Sequence, residues 1–462
     1  MSRTLNPPVG RLVATGLVLA VVAAGTVTAC GRSIGPTAPE VASSSSASPA
    51  AAAASPSGAG HDHVVTSQAA GSSGTGTTAP GSGEQGAILG IRLQALLGQH
   101  TSLAADMMRA RIRRDPDFAQ AAETALTRNT QAMAGLIGSA FGSDAATAFS
   151  QQWGGHITHL FEYAEARQAG DTGGLQRARQ QLAQSESAIA SFFVKASNGR
   201  LPAAAALSGV RMHIDGLLAQ ADAYAKEDYA AADAEYQHAF QHTYALGGAV
   251  AAAVLPKKDA AALATPALQL RSNLTEALSE HVALVVSAMR AGSGTNTRDF
   301  KGFGDALNNN TKALSGAVGT LFGAPAAARF QSLWADHVDG LMKLTSGTAS
   351  GNSAEVAQGR KQLKAFEPAL AAFLNSATQS RLGADALARA YAMHDQMLVG
   401  AVEAFQAKDY AKAHDLGYNA YDAMFGLAGQ LSNAIALTLA DKLPKGGSQT
   451  GGGGMAGVVG RR

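Results

Sequence analysis

The chain has 462 residues, a formal net charge of +2, 15% charged side chains and 46% hydrophobic ones. That balance carries no polyanion-binding signature, and no basic stretch interleaves with aromatics, so nucleic acid is set aside as a partner. A single cysteine, Cys30, excludes disulfides and cysteine-based metal sites.

The first element in chain order reads as an export signal. Arg3 and Arg11 make a short basic segment, and residues 12–27 form an apolar run broken by small residues such as Thr15 and Gly16. The run has about the length of a signal-peptide core and is too short and Gly-broken for a membrane span. It ends in Val27-Thr28-Ala29-Cys30, an aliphatic residue, two small ones and a cysteine, which resembles the lipobox of bacterial lipoproteins. The resemblance implies a signal peptide over 1–29, cleavage before Cys30 and a diacylglycerol on its sulfur. It also implies a place on the outer face of the cytoplasmic membrane, with the lipid as membrane partner. No later stretch reads as a membrane span, so anchoring is assigned to the lipid alone.

Residues 30–86 are Ser, Ala, Gly, Thr and Pro with almost no large apolar side chain. Such a segment cannot bury enough surface to offset its ordering entropy, which predicts a disordered tether about 40 Å in mean reach. Residues 444–462, with their run of glycines at 451–454, are expected to form a disordered tail.

Between tether and tail lies a duplication. A shift of 181 residues superimposes Leu93 on Leu274, His100 on His281, Met108-Arg109 on Met289-Arg290 and Asn129-Thr130 on Asn310-Thr311. It also pairs Trp153 with Trp334, His156 with His337, Met212-His213 with Met393-His394, and Asp228-Tyr229 with Asp409-Tyr410. The repeats span 87–255 and 264–443, about 165 aligned residues each, which is ordinary domain size rather than a solenoid unit. In the first, apolar residues recur at helical spacing over 88–112, 117–141, 144–169, 174–197, 202–226 and 229–253. Asp115-Pro116 suits a helix start, Asn198-Gly199 a helix end, and Asp228 and Asp409 suit N-caps. The predicted fold is all-α: two tandem homologous helical bundles of about six helices each, joined through residues 256–266 and able to fold separately.

The repeated unit also resembles an uncharacterised helical domain of secreted proteins of Gram-positive bacteria. The residues that carry this are Leu93-x-x-Leu96-x-x-x-His100, Asn310-Thr311 and Phe330-x-x-x-Trp334-x-x-His337. The resemblance implies no particular activity.

The histidines carry the functional argument. Six lie in the first repeat and four in the second, and chance placement would align about 0.15 pairs, whereas three align. His100, His156 and His213 each fall on an apolar stripe, as does Asn129 between Leu126 and Met133, so all four are expected to point into the bundle. A buried imidazole without a partner costs a few kcal/mol. Each repeat therefore predicts one buried His₃Asn cluster: His100, His156, His213 with Asn129, and His281, His337, His394 with Asn310. Two readings follow. The cluster is a hydrogen-bonded network that fixes helix register, or three imidazoles hold copper or zinc, with Met108/Met289 and Met212/Met393 as supporting thioethers. A membrane-tethered binding lipoprotein is the leading function. The alternatives are a metal-dependent enzyme with an open position at the same cluster, or a purely structural lipoprotein. His238 and His242 do not recur in the second repeat and read as surface residues, and His61-Asp62-His63 as polar tether.

Overall fold

A computed structural model describes residues 82–442 apart from residue 295. Cys30, the signal segment, the tether with its His-Asp-His triplet and the tail lie outside the described residues. Those described form thirteen helices and no strand. The first repeat supplies α1 (Ser82–Arg113), α2 (Pro116–Phe141), α3 (Ser143–Ala169), α4 (Thr172–Ala196), α5 (Ala203–Ala225) and α6 (Tyr229–Val254). The link carries a short α7 (Lys257–Leu263), which the sequence reading leaves as a connection. The second repeat supplies α8 (Pro266–Ser293), α9 (Thr297–Phe322), α10 (Ala324–Ser350), α11 (Ser353–Ala377), α12 (Ala384–Gln406) and α13 (Tyr410–Lys442).

Local chemistry sets these boundaries. Asp115 accepts from the Phe118 amide with Pro116 in the first turn of α2, and Asp228 accepts from the Ala231 amide ahead of α6. Asp409 repeats the cap on Lys412 at the start of α13. Gly170 and Gly351, equivalent under the 181-residue shift, end α3 and α10 at φ 68° and 71°, a left-handed conformation that glycine adopts without a Cβ clash.

Helix α1 packs against α2, α3, α5 and α6, and α8 packs in the same way against α9, α10, α12 and α13. The repeats also meet each other. Helix α1 lies against α8, α2 against α13, and α6 against α9. Because α2 corresponds to α9 and α6 to α13, each repeat uses the same faces toward the other, as in a two-fold dimer interface. At Gly98 a Cβ would stand 3.0 Å from Phe240 and from the Tyr421 hydroxyl, so glycine permits this approach of α1, α6 and α13. Tyr421 donates to the Ala95 carbonyl at 2.8 Å across the same seam.

One buried apolar cluster runs through both repeats, from Leu126, Trp153 and Leu217 to Leu307, Trp334 and Leu398. Buried charge crosses the seam as well: Arg290 of α8 reaches Asp106 of α1 at 3.2 Å. The packing is thus more intimate than the expected pair of self-sufficient bundles. Helix α13 is, by length and composition, apolar enough to cross a membrane, which the sequence reading did not expect. Half of its apolar window is buried within the fold, as in a core helix.

Candidate metal centre

Three alternate helices of each repeat place the imidazoles. His100 on α1 sits in the row Leu93, Leu96, His100, Leu103, which turns toward the repeat's own core. His156 on α3 follows Phe149 and Trp153 on one stripe, and His213 on α5 lies between Val210 and Leu217. In each repeat the three rings offer nitrogens that all lie within 4.8 Å of one another, His100 with His156 and His213, and His281 with His337 and His394. The two triads are sealed: exposure is 0–1% in the first and 0–5% in the second.

Burial sets the protonation state. Desolvation, aided in several cases by the neighbouring imidazoles, lowers all six pKa values: His156 and His281 to about 3, His394 to about 4, and His100, His213 and His337 well below the ordinary range. Each ring is therefore neutral at pH 7, the state in which imidazole ligates a metal.

The hydrogen bonding differs between the repeats. In the first, the Trp153 indole donates to His100 Nδ1 at 3.3 Å, and His100 Nε2 lies 3.1 Å from His156 Nε2. His213 Nδ1 lies 2.8 Å from the Thr243 hydroxyl, which donates to the Ala239 carbonyl. His156 Nδ1 and His213 Nε2 have no hydrogen-bond partner; in the second repeat Trp334 Nε1, both nitrogens of His281, and Nδ1 of His337 and of His394 have none. The ring packing itself is retained, with His–Trp centroids 4.9 Å apart in the first repeat and 4.8 Å in the second.

The expected supporting residues go elsewhere. Asn129 is buried, but its amide donates to the Leu96 carbonyl and Gln99 Oε1, and Asn310 likewise donates to the Ala277 carbonyl and Glu280 Oε2. These asparagines tie the second helix of each repeat to the first and make no hydrogen bond to an imidazole, so the structure gives His₃ groups rather than His₃Asn. Met212 and Met393, 54% and 65% exposed, face away from the clusters because they lie one position, or 100° of helix, before His213 and His394. Met108 and Met289 are buried, about 12 Å along the helix from the corresponding histidine. The Met108 sulfur instead accepts from Gln220. His242 bonds the Gly209 carbonyl and His238 is exposed.

Sequence reasoning missed Asp395. It is 2% exposed, neither carboxylate oxygen has a hydrogen-bond partner, and Oδ1 lies 3.6 Å from His337 Nδ1. Its counterpart under the repeat shift is Ile214. An acid replacing an aliphatic beside a paired histidine is a signal carried by the differences between the repeats rather than by their identities. No family model, curated protein or solved structure matches this chain.

Proposed function

We propose that this is an extracytoplasmic lipoprotein, anchored through Cys30, that binds a late first-row transition ion, copper or zinc, at buried histidine clusters. The observation that carries the reading is the convergence of three neutral imidazoles from three helices, twice in one chain, within 4.8 Å. Nitrogens on one tetrahedral ion at about 2.0–2.1 Å stand about 3.3 Å apart, so ring movements of about an ångström would close either group. The sealing of the clusters favours a held ion over turnover, because a catalytic metal keeps a coordination position open to substrate.

A second reading has specific support in the first repeat. There Trp153, His100 and His156 form a hydrogen-bonded chain, with His156 Nδ1 left over, that would fix helix register without any ion.

The test is metal analysis of the chain purified without a polyhistidine tag, followed by Zn²⁺ and Cu²⁺ titration of the chelator-treated protein. Bound metal, and a melting temperature that rises with added ion, are expected; an ion at a hundred times its Kd adds about 2.7 kcal/mol. A chain that carries no metal and melts identically with ion and with chelator overturns the proposal.

A further inference from the structure

We infer that the duplicated clusters have diverged, so that the ion is held by His281, His337 and His394 with Asp395 behind them, while in the first-repeat triad His100 and His156 are tied to each other and to Trp153 by hydrogen bonds. The inference rests on the metal reading and assigns it to one of the two sites.

The first argument is tautomeric. An indole nitrogen only donates, so His100 Nδ1 must accept from Trp153. Neutral His100 then carries its proton on Nε2 and directs it at His156 Nε2, 3.1 Å away. Both Nε2 atoms are spent on one hydrogen bond, and neither offers a lone pair without breaking it. In the second repeat Trp334 Nε1 makes no such bond, and both His281 nitrogens are free to take either tautomer.

The second argument is charge. A divalent ion surrounded by three neutral imidazoles in a dry core keeps its full charge, and a carboxylate beside it offsets part of that cost. The second repeat has Asp395, buried and unpartnered, 3.6 Å from the His337 ring. The first has Ile214 at that position. A carboxylate on the Nδ1 side of a ligating imidazole orients the ring and raises its basicity.

The third argument is the surrounding shell. Phe366 stacks on His337 with centroids 4.3 Å apart and holds the ring's plane. Its counterpart in the first repeat is Ser185, and that of Thr243, the partner of His213, is the buried Met424. The hydroxyl that partners Nδ1 of the third imidazole of the first repeat is thus absent from the second, where His394 Nδ1 is left unpartnered.

The experiment is calorimetric titration of the metal-free, detergent-extracted full chain with Zn²⁺ and, separately, Cu²⁺. One ion per wild-type chain is expected, retained in His213→Ala and lost in His394→Ala. Asp395→Ile should weaken binding about 10–100-fold. Trp153→Phe removes the indole donor, frees His100 Nδ1 and should raise the stoichiometry to two. Circular dichroism identifies any variant that fails to fold; if either alanine variant does, Asp395→Ile and Trp153→Phe decide. Two ions in wild type, one lost with each alanine, would overturn the divergence and leave the metal reading standing. No ion in wild type would overturn both. Unchanged affinity in Asp395→Ile, or one ion still in Trp153→Phe, would remove the corresponding argument.

Discussion

Arg109 of α1 and Asp299 of α9 approach to 3.5 Å across the boundary between the repeats, with side chains 1% and 0% exposed. Asp299 also stands 3.2 Å from Arg290 and accepts from the Tyr224 hydroxyl. Arg109 is held in turn by Asp233, Gln220 and the Ala232 carbonyl. Two guanidiniums thus share a carboxylate in the first turn of α9, where the helix dipole favours an anion. Arg109 finds a partner for each guanidinium nitrogen in its own repeat, and Asp299 adds a second carboxylate across the seam, as Asp106 does for Arg290.

Asp299→Ala is therefore expected to destabilise the chain by about 3–5 kcal/mol, the usual cost of leaving buried charge uncompensated. Urea denaturation measures it, and a loss under about 1 kcal/mol, typical of surface pairs, would show the network to be solvated.

The same network bears on modularity. Cutting at the link leaves Arg109 without Asp299, Arg290 without Asp106, and the shared core open to water. Fragments 87–255 and 264–443 should each melt without cooperativity and regain it on mixing. Independent cooperative melting of either by circular dichroism would restore the two-domain picture expected from sequence.

Acid should destabilise the metal-free chain. Seven imidazoles, the six cluster residues and His414, have folded pKa values lowered by burial; an unfolded histidine takes its proton near 6.5. Their contribution is present above about 6.5 and is lost as pH falls toward the folded values, about 3 for His156 and His281 and about 4 for His394. Buried carboxyls act in the opposite sense. Asp233, raised to about 6, and Glu276, raised to about 7, contribute stability that is lost as pH rises through those values, and Glu280 and Asp395 are raised too. Seven groups against four leave acid destabilising overall. The urea midpoint should be lower at about pH 5 than at about pH 7.5; an equal or higher midpoint would mean that the imidazoles are not held neutral.

The anchor has its own test. Cys30 is the chain's one cysteine and the only lipid acceptor of its kind. Cys30→Ser should release the protein to the medium or leave it unprocessed. A mutant that still fractionates with the membrane at the processed size would exclude lipid anchoring through this residue.

Helix positions were legible in the sequence because apolar spacing, caps and prolines agree; Asp115, Asp228 and Asp409 cap where expected. The histidine triads were legible because duplication retained them on inward stripes. The inter-repeat seam was not. Arg109 and Arg290 were visible as a retained pair, but a buried arginine declares itself only through its partners, and Asp299 lies 190 residues from Arg109. Asn129 misled for a related reason. An inward polar residue on the apolar stripe of α2 says that it is buried, and nothing in the spacing says whether it meets an imidazole or a backbone carbonyl.

Asn129→Ala separates those two roles. The amide ties α2 to α1 through the Leu96 carbonyl and Gln99. Its removal leaves buried acceptors unpaired, at a cost of about 1–3 kcal/mol. Because Asn129 bonds to no imidazole, metal stoichiometry and affinity should stay at wild-type values. Met212→Ser is the companion variant. A thioether 54% exposed and turned about 100° around α5 from His213 lies outside the core and away from the cluster, so stability should move by less than about 0.5 kcal/mol and copper affinity not at all. Titration calorimetry beside urea melts reads both quantities on each variant. Weakened metal binding in Asn129→Ala at unchanged stability would return the asparagine to the cluster, and a copper-selective loss in Met212→Ser would mean that α5 turns its other face inward when the ion is bound.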